Sequence, residues 1–253
     1  MAIYVVSHKK IDDKFPEGYR TIIVNANVNK VTGDCYDNIG DNISSKNGSY
    51  CELTALYWLW KNSKDDYIGI DHYRRFFMNG DNLLSADKAA EIVKNGTVIV
   101  PKIEKFGQNI GTKYWTTSGY KSDLTVIREA ISKYSPEYSH DYDVIMNQNK
   151  LHCYNMLVMN KEMYDAYCEW LFNVLTIVEA KLDAQHRGAD DRNGYYRRVY
   201  GFMSERLLNV YLLHNRIDII ELPVKFTGQQ PNFINRVGTK LSKLKDKYIR
   251  SRL

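Results

Sequence analysis

Apolar and polar positions fall into blocks along the chain, and the blocks differ in period. AIYVVS at 2–7 is a short β-branched run that predicts a buried strand. TIIVNA at 21–26 predicts a second. Residues 31–44, VTGDCYDNIGDNIS, are rich in Gly, Asp and Asn, which is loop chemistry. Between 49 and 62 the period becomes helical. Leu53, Leu56, Tyr57 and Trp60 share a face, Ser49 stands as a cap, and Glu52 follows at the capping-box spacing. DYIGIDHY at 66–73 returns to strand. A helix is predicted over 85–96, opened by Ser85 and stopped by Gly96, then a strand over 97–102. Residues 107–120 read as a loop, 122–134 as a helix and 135–143 as a loop. A strand over 154–160 leads into the longest helix, 161–184. A basic polar stretch (185–198), a helix (204–215) and a last strand (217–224) complete the pattern.

Strands alternating with helices imply an α/β fold, a mostly parallel central sheet flanked by helices. No internal repeat, low-complexity segment or linker interrupts it, so residues 1–235 read as a single Rossmann-like domain. The remaining 18 residues, 236–253, change character, with seven Lys or Arg against one acidic residue. Leu241, Leu244, Tyr248 and Ile249 share one face there. This basic amphipathic helix suits either an anionic membrane surface or packing on the domain.

Composition adds little to this picture. Hydrophobic residues make up 44% and charged residues 26%, the balance of a chain that can bury a core. The net charge of +5 does not imply nucleic acid by itself. Cys35, Cys51, Cys153 and Cys168 show no CxxC pair or zinc spacing and read as reduced thiols. The apolar stretch at the N-terminus is too short for a signal peptide, and no run reaches membrane-spanning length. A cytoplasmic protein, in peripheral contact with the inner face of the cell membrane, is the expectation.

Ligands of open α/β sheets bind at the carboxyl ends of the strands. Ser7, His8 and Lys9 follow the first strand. Asp71, His72, Tyr73, Arg74 and Arg75 follow the strand at 66–70, in the segment IGIDHYRRFF. Arginine forks and lysine bind phosphate, and Tyr or Trp stacks on a base or sugar ring. That mixture suits a nucleotide carrying a diphosphate. GxGxxG after the first strand, GxxxxGK[ST] and GxSxG are all absent, as are HxxxH and HExxH pairings.

Five segments carry a family resemblance: DNIGDNISSKN (37–47), YCELTALYWLWKN (50–62), YIGIDHYRRFF (67–77), YNMLVM (154–159) with YCEWLFNVL (167–175), and GFMSERLLNVYL (201–212). Together they resemble bacterial glycosyltransferases of capsule, O-antigen and exopolysaccharide clusters, long described only as a domain of unknown function. Some members are galactofuranosyl- or galactosyltransferases. The resemblance implies a GT-A-like fold and a UDP-sugar as donor. It also implies a saccharide acceptor, lipid-linked or growing. GT-A enzymes often hold Mn2+ or Mg2+ with an Asp-X-Asp motif at a central strand end. Here that position reads Asp71-His72-Tyr73, so Asp71 is the metal candidate and the second carboxylate is missing. Arg74 and Arg75 stand where they can neutralise a diphosphate without a metal.

The same comparison assigns Ser7 and His8 to base and ribose, with Asp41 and Asn42 as further nucleotide contacts. An inverting transfer needs a carboxylate base. Glu205, near the start of a late helix, is the first candidate, and Asp190 and Asp191 in RGADDRNG are the rivals. His152, Asn155 and Trp115 are candidates for sugar or acceptor contacts. The alternative function is a noncatalytic nucleotide- or carbohydrate-binding module of the same fold.

Overall fold

The computed structural model describes residues 1–12 and 14–227. The boundary expected at 235 and the basic helix 236–253 lie outside those residues. The strands are β1 (Ala2–Ser7), β2 (Tyr19–Ile23), β3 (Cys35–Tyr36), β4 (Tyr67–His72), β5 (Arg75–Asn79), β6 (Asn82–Leu83), β7 (Val98–Pro101), β8 (Glu104–Lys105), β9 (Lys150–Leu151), β10 (Leu157–Asn160), β11 (Ile219–Leu222) and β12 (Val224–Phe226). The α-helices are α1 (Asn47–Tyr50), α2 (Leu53–Asn62), α3 (Ala86–Val93), α4 (Ile110–Thr117), α5 (Lys121–Tyr134), α6 (Ser139–Asn147), α7 (Lys161–Ala184) and α8 (Val199–His214).

The main sheet runs in the order β11-β7-β10-β4-β1-β2-β3. All neighbouring pairs in it are parallel except those of β10, which runs antiparallel to both β4 and β7. This is the mixed α/β architecture with a mostly parallel sheet that the strand–helix alternation predicts. The strands of the centre are buried on both faces. Tyr4 and Val6 of β1 join the larger apolar cluster with α2, α5, α7 and α8, while Ile3 joins a smaller cluster with α3 on the other face. β1 and β4 approach so closely that a Cβ on Gly69 would meet Ile3 Cγ1 at 2.9 Å.

Helix α7 coincides with its predicted span. Asn160 caps it by accepting from the Met163 amide, and it buries Tyr164, Tyr167, Trp170 and Leu171 among others. Ser85 caps α3 as expected, accepting from the Lys88 amide.

Five local expectations differ, one of them the last long helix, which opens at Val199 and not at 204, so that Glu205 stands in its second turn. The helix predicted over 49–62 is two helices, broken at Cys51, whose φ is 54°. Ser49 is therefore not a cap, and its hydroxyl donates to Lys46 O. Residues 139–147, read as loop, form α6 against α8, and Asp141 pairs with His214. Residues 110–117 form α4, capped by Asn109, which accepts from the Thr112 amide. The strand ending near Tyr73 turns back as β5, so the HYRR segment is a hairpin. Among the described residues no helix is long and apolar enough to cross a membrane, and no disulfide forms.

Candidate active site

A cleft of about 670 Å³ opens at the carboxyl ends of β1 and β4, where the switch-point rule places ligands. Ser7 and His8 line it from β1, His72, Tyr73 and Arg75 from the hairpin, and Cys51 and Glu52 from the break before α2. Lys113 enters from α4, and Arg198, Glu205 and Arg206 from α8 and the turn before it. Because β10 is antiparallel, its start rather than its end meets the close of β4. That direction brings Cys153 and Tyr154 into the same cleft.

Strand alternation decides which residue of the Asp71-His72 pair faces the cleft. His72 does. Asp71 points to the opposite face, with 0% exposure. It accepts from the Phe77 amide at 3.2 Å and from the Tyr19 hydroxyl at 3.5 Å, fastening the hairpin to β2. Burial raises its pKa to about 8, against which those two hydrogen bonds act only partly. Burial therefore favours the neutral form of Asp71, which stands outside the cleft lining. A divalent cation does not fit the Asp71 position: the carboxyl is turned away from the cleft and already engaged. No group of three or more His, Cys, Asp or Glu side chains placed to hold a metal ion occurs among the described residues.

Cations line the cleft instead. The Arg75 guanidinium lies 4.4 Å from the Tyr154 ring centre and 5.3 Å from that of Phe226. Its side chain has no hydrogen-bond acceptor or ion-pair partner among the described residues, so its donors are free for an anion. Arg198 Nε donates to Cys51 Sγ at 3.1 Å. Arg206 Nη1 donates to Phe202 O and to Glu205, at 2.7 and 2.8 Å. Arg74 lies over the Tyr73 ring, 4.8 Å from its centre, and does not line the cleft. His8 packs edge-on against Tyr73. Burial first, then Lys9, Arg74 and Arg198, lowers its pKa. His72 is driven down to about 4 by burial and by Arg75, and its Nε2 has no partner. Both histidines are neutral at pH 7.

Three carboxylates line the cleft with these cations, and two of them, Glu205 and Glu52, share a support. Two consecutive residues hold them. The Tyr154 amide donates to Glu205 Oε1 at 3.2 Å, and Asn155 Nδ2 donates to Glu52 Oε1 at 2.6 Å. Tyr154 and Asn155 both adopt left-handed backbone, with φ of 79° and 54°. Such geometry costs on the order of 1–3 kcal/mol per residue and collects at functional sites. Asn155 also donates to Gly201 O, tying the grip to α8. Gly201 lets the helix approach that closely, because a Cβ there would stand 3.3 Å from Cys51 Cβ. Burial raises the pKa of both carboxylates. Arg206 opposes the shift at Glu205, and the charge of Glu52 adds to it.

The other sequence candidates are placed elsewhere. Ser7 lines the cleft but spends its hydroxyl on Lys9, donating to its carbonyl and accepting from its amide. Asp41 accepts from the Tyr57 hydroxyl and Asn42 Nδ2 donates to Gly40 O. Both shape an exposed loop off the cleft. Buried Asp37 of the same segment is the organiser there, accepting from the Asn25 and Ala26 amides and the Ser44 and Thr54 hydroxyls. Trp115 packs on the core from α4 rather than from a loop. His152 is buried, with Nδ1–H donating to Pro101 O at 2.8 Å. Asn155 stands behind Glu52, not in the lining. Asp190 pairs with Arg197 at the surface, and Asp191 accepts from the Gly188 amide. Their segment is anchored by Arg192, which forms a bidentate pair with buried Asp123 at 2.8 Å.

Sequence reasoning missed Glu52, Arg198 and Arg206. Glu52 had been absorbed by the capping-box reading, and the two arginines sit in segments that resemble a solvated basic run and an ordinary helix face.

The fold is similar to the apo structure of WbbM, a bifunctional glycosyltransferase, with a TM-score of 0.77 and 25% sequence identity. The match covers 92% of this chain and 47% of that one, so this chain spans about half of that protein's length. The architecture is thus that of a glycosyltransferase fold. Within it, the chain belongs to the family described as "Domain of unknown function (DUF4422)", whose model matches residues 2–216. A comparison with curated proteins found no match.

Proposed function

We propose that this chain is a glycosyltransferase that moves a hexose, galactose or galactofuranose, from a UDP-sugar to a lipid-linked or growing saccharide in surface-polysaccharide synthesis. The observation that carries the reading is the cleft itself. A gripped carboxylate, Glu205, shares the carboxyl ends of β1 and β4 with half-buried Arg75, which has no acceptor among the described residues, and with Arg198, held by Cys51. In an inverting transfer, Glu205 takes the proton of the acceptor hydroxyl. The acceptor oxygen bonds to the anomeric carbon, and the bond from that carbon to the diphosphate oxygen breaks with its electron pair on UDP. Arg75 and Arg198 meet the charge that develops on the leaving diphosphate, in place of a metal. Neutral His8 and Tyr73 border the nucleotide.

Calorimetric titration of UDP, first with Mn2+ and then with EDTA, tests this reading. The expected result is the same affinity in both. Arg75→Ala should weaken UDP binding about 10- to 100-fold, the value of one or two charge-assisted hydrogen bonds. Arg74→Ala should change it less than about threefold, on the same reasoning for a charge at the rim. Strict Mn2+ dependence would overturn metal-free recognition. Absence of nucleotide binding in both conditions would leave the noncatalytic module as the better reading.

The basic segment 236–253 completes the proposal as a contact with the inner membrane leaflet, near a lipid-linked acceptor. Truncation after Asn235 should abolish sedimentation with anionic vesicles and leave UDP affinity intact. Vesicle binding retained by the truncated chain would remove that part.

A further inference from the structure

A second compartment, of about 440 Å³, lies against the first. Its lining includes Lys102, Val224 and Phe226, and it shares Arg75, Glu104 and Tyr154 with the larger cleft. Those three residues form a partition. The Tyr154 hydroxyl donates to Glu104, and the Arg75 guanidinium lies near both the Tyr154 and Phe226 rings. The register of β12 on β5 fixes this arrangement, because Phe226 stands opposite Arg75. The partition is built on the backbone that grips Glu205: the Tyr154 amide holds the carboxylate while the Tyr154 ring walls the smaller compartment.

We propose that the smaller compartment is the binding site for the accepting saccharide, separated from the donor cleft by Arg75, Glu104 and Tyr154. Its chemistry suits a sugar ring, which offers apolar C–H faces and a rim of hydroxyls. Tyr154, Phe226 and Val224 provide the apolar wall. Lys102 offers a donor, and the second Glu104 oxygen has no partner among the described residues and is free to accept. Its volume lies within the range of small-ligand sites. Its position matters more than its size. The wall it shares with the donor cleft carries Tyr154, the residue whose amide orients Glu205. The occupant's identity rests on the transferase reading; the location of the compartment does not.

Saturation-transfer NMR with methyl β-D-galactopyranoside and methyl β-D-glucopyranoside as probes tests the site on the full chain, with and without UDP. The variants are Phe226→Ala and Lys102→Ala, two exposed positions outside the donor-cleft lining. The expected result is transfer to at least one glycoside in the presence of UDP. It should fall at least about fivefold in Phe226→Ala, as expected for loss of an apolar wall worth about 1 kcal/mol, and should also fall in Lys102→Ala, whose UDP affinity stays within about twofold of the parent. Transfer unchanged in both variants would overturn the assignment, as would competition between UDP and the glycoside, since both put the sugar in the larger cleft. Lack of transfer to either glycoside would also overturn it. Failure of UDP to bind, with glycoside transfer still sensitive to Phe226→Ala, would sink the transferase reading and leave the saccharide site standing.

Discussion

Glu205→Gln is expected to bind UDP as the parent does and to lose transfer activity by about 10²- to 10⁴-fold, the usual contribution of a positioned general base. The amide keeps the shape of the side chain, and its oxygen still accepts from the Tyr154 amide. It takes no proton. The pair with Arg206 also weakens, so the variant needs a readout that a structural role would not move. The pH profile supplies it. Burial raises the Glu205 pKa above the ordinary carboxylate range, and the neighbouring charge of Glu52 pushes in the same direction. The base acts only when ionised, so turnover should rise with pH through that raised value. The rising limb should vanish from the residual activity of Glu205→Gln. A variant with undiminished turnover, or one that keeps the limb, would take the base role away from Glu205. Glu52 would then be the next carboxylate to test, since one of its oxygens is held by Asn155 and it lines the same cleft.

The second large effect concerns stability. Asp71 has its pKa raised from 3.8 to about 8 because the folded protein buries its carboxyl. A raised folded-state value means that the native chain binds the proton more tightly than the unfolded chain. The associated stability is fully present below about pH 4 and is lost as pH rises through about 8. The span corresponds to roughly 6 kcal/mol, a large share of the 5–15 kcal/mol typical of a domain. Asp71→Asn removes the titration while keeping an acceptor for the Phe77 amide. Urea unfolding at pH 5 and pH 8 should therefore show the parent losing several kcal/mol more than the variant across that interval. Equal losses would mean that Asp71 is not the buried acid described here.

These two residues also show what a linear reading captures. Glu205 drew attention as a carboxylate behind a polar, basic loop, although α8 opens at Val199 and places it in the second turn. Asp71 was misread for a definite reason. Its place at a strand end matched a metal-binding pattern, but the strand continues to His72 and folds back. The turn at Tyr73 and Arg74 carries no Gly, Asn or Asp to announce it. The central strands and α7 were legible because their apolar runs are long or continuous. Helices α4 and α6 were hidden by polar composition, although the Asn109 cap was a usable signal. Arg198 and Arg206 are invisible in one dimension, since their importance comes only from α8 meeting the hairpin across the end of the sheet.

The grip of Tyr154 and Asn155 bears on how this fold can diversify. Asn155 holds Glu52 across 103 residues of sequence. A hybrid of two relatives joined anywhere between those positions takes the carboxylate from one parent and its clasp from the other. The segment around Glu52 and the clasp at Asn155 are therefore one unit in space although they are far apart in sequence.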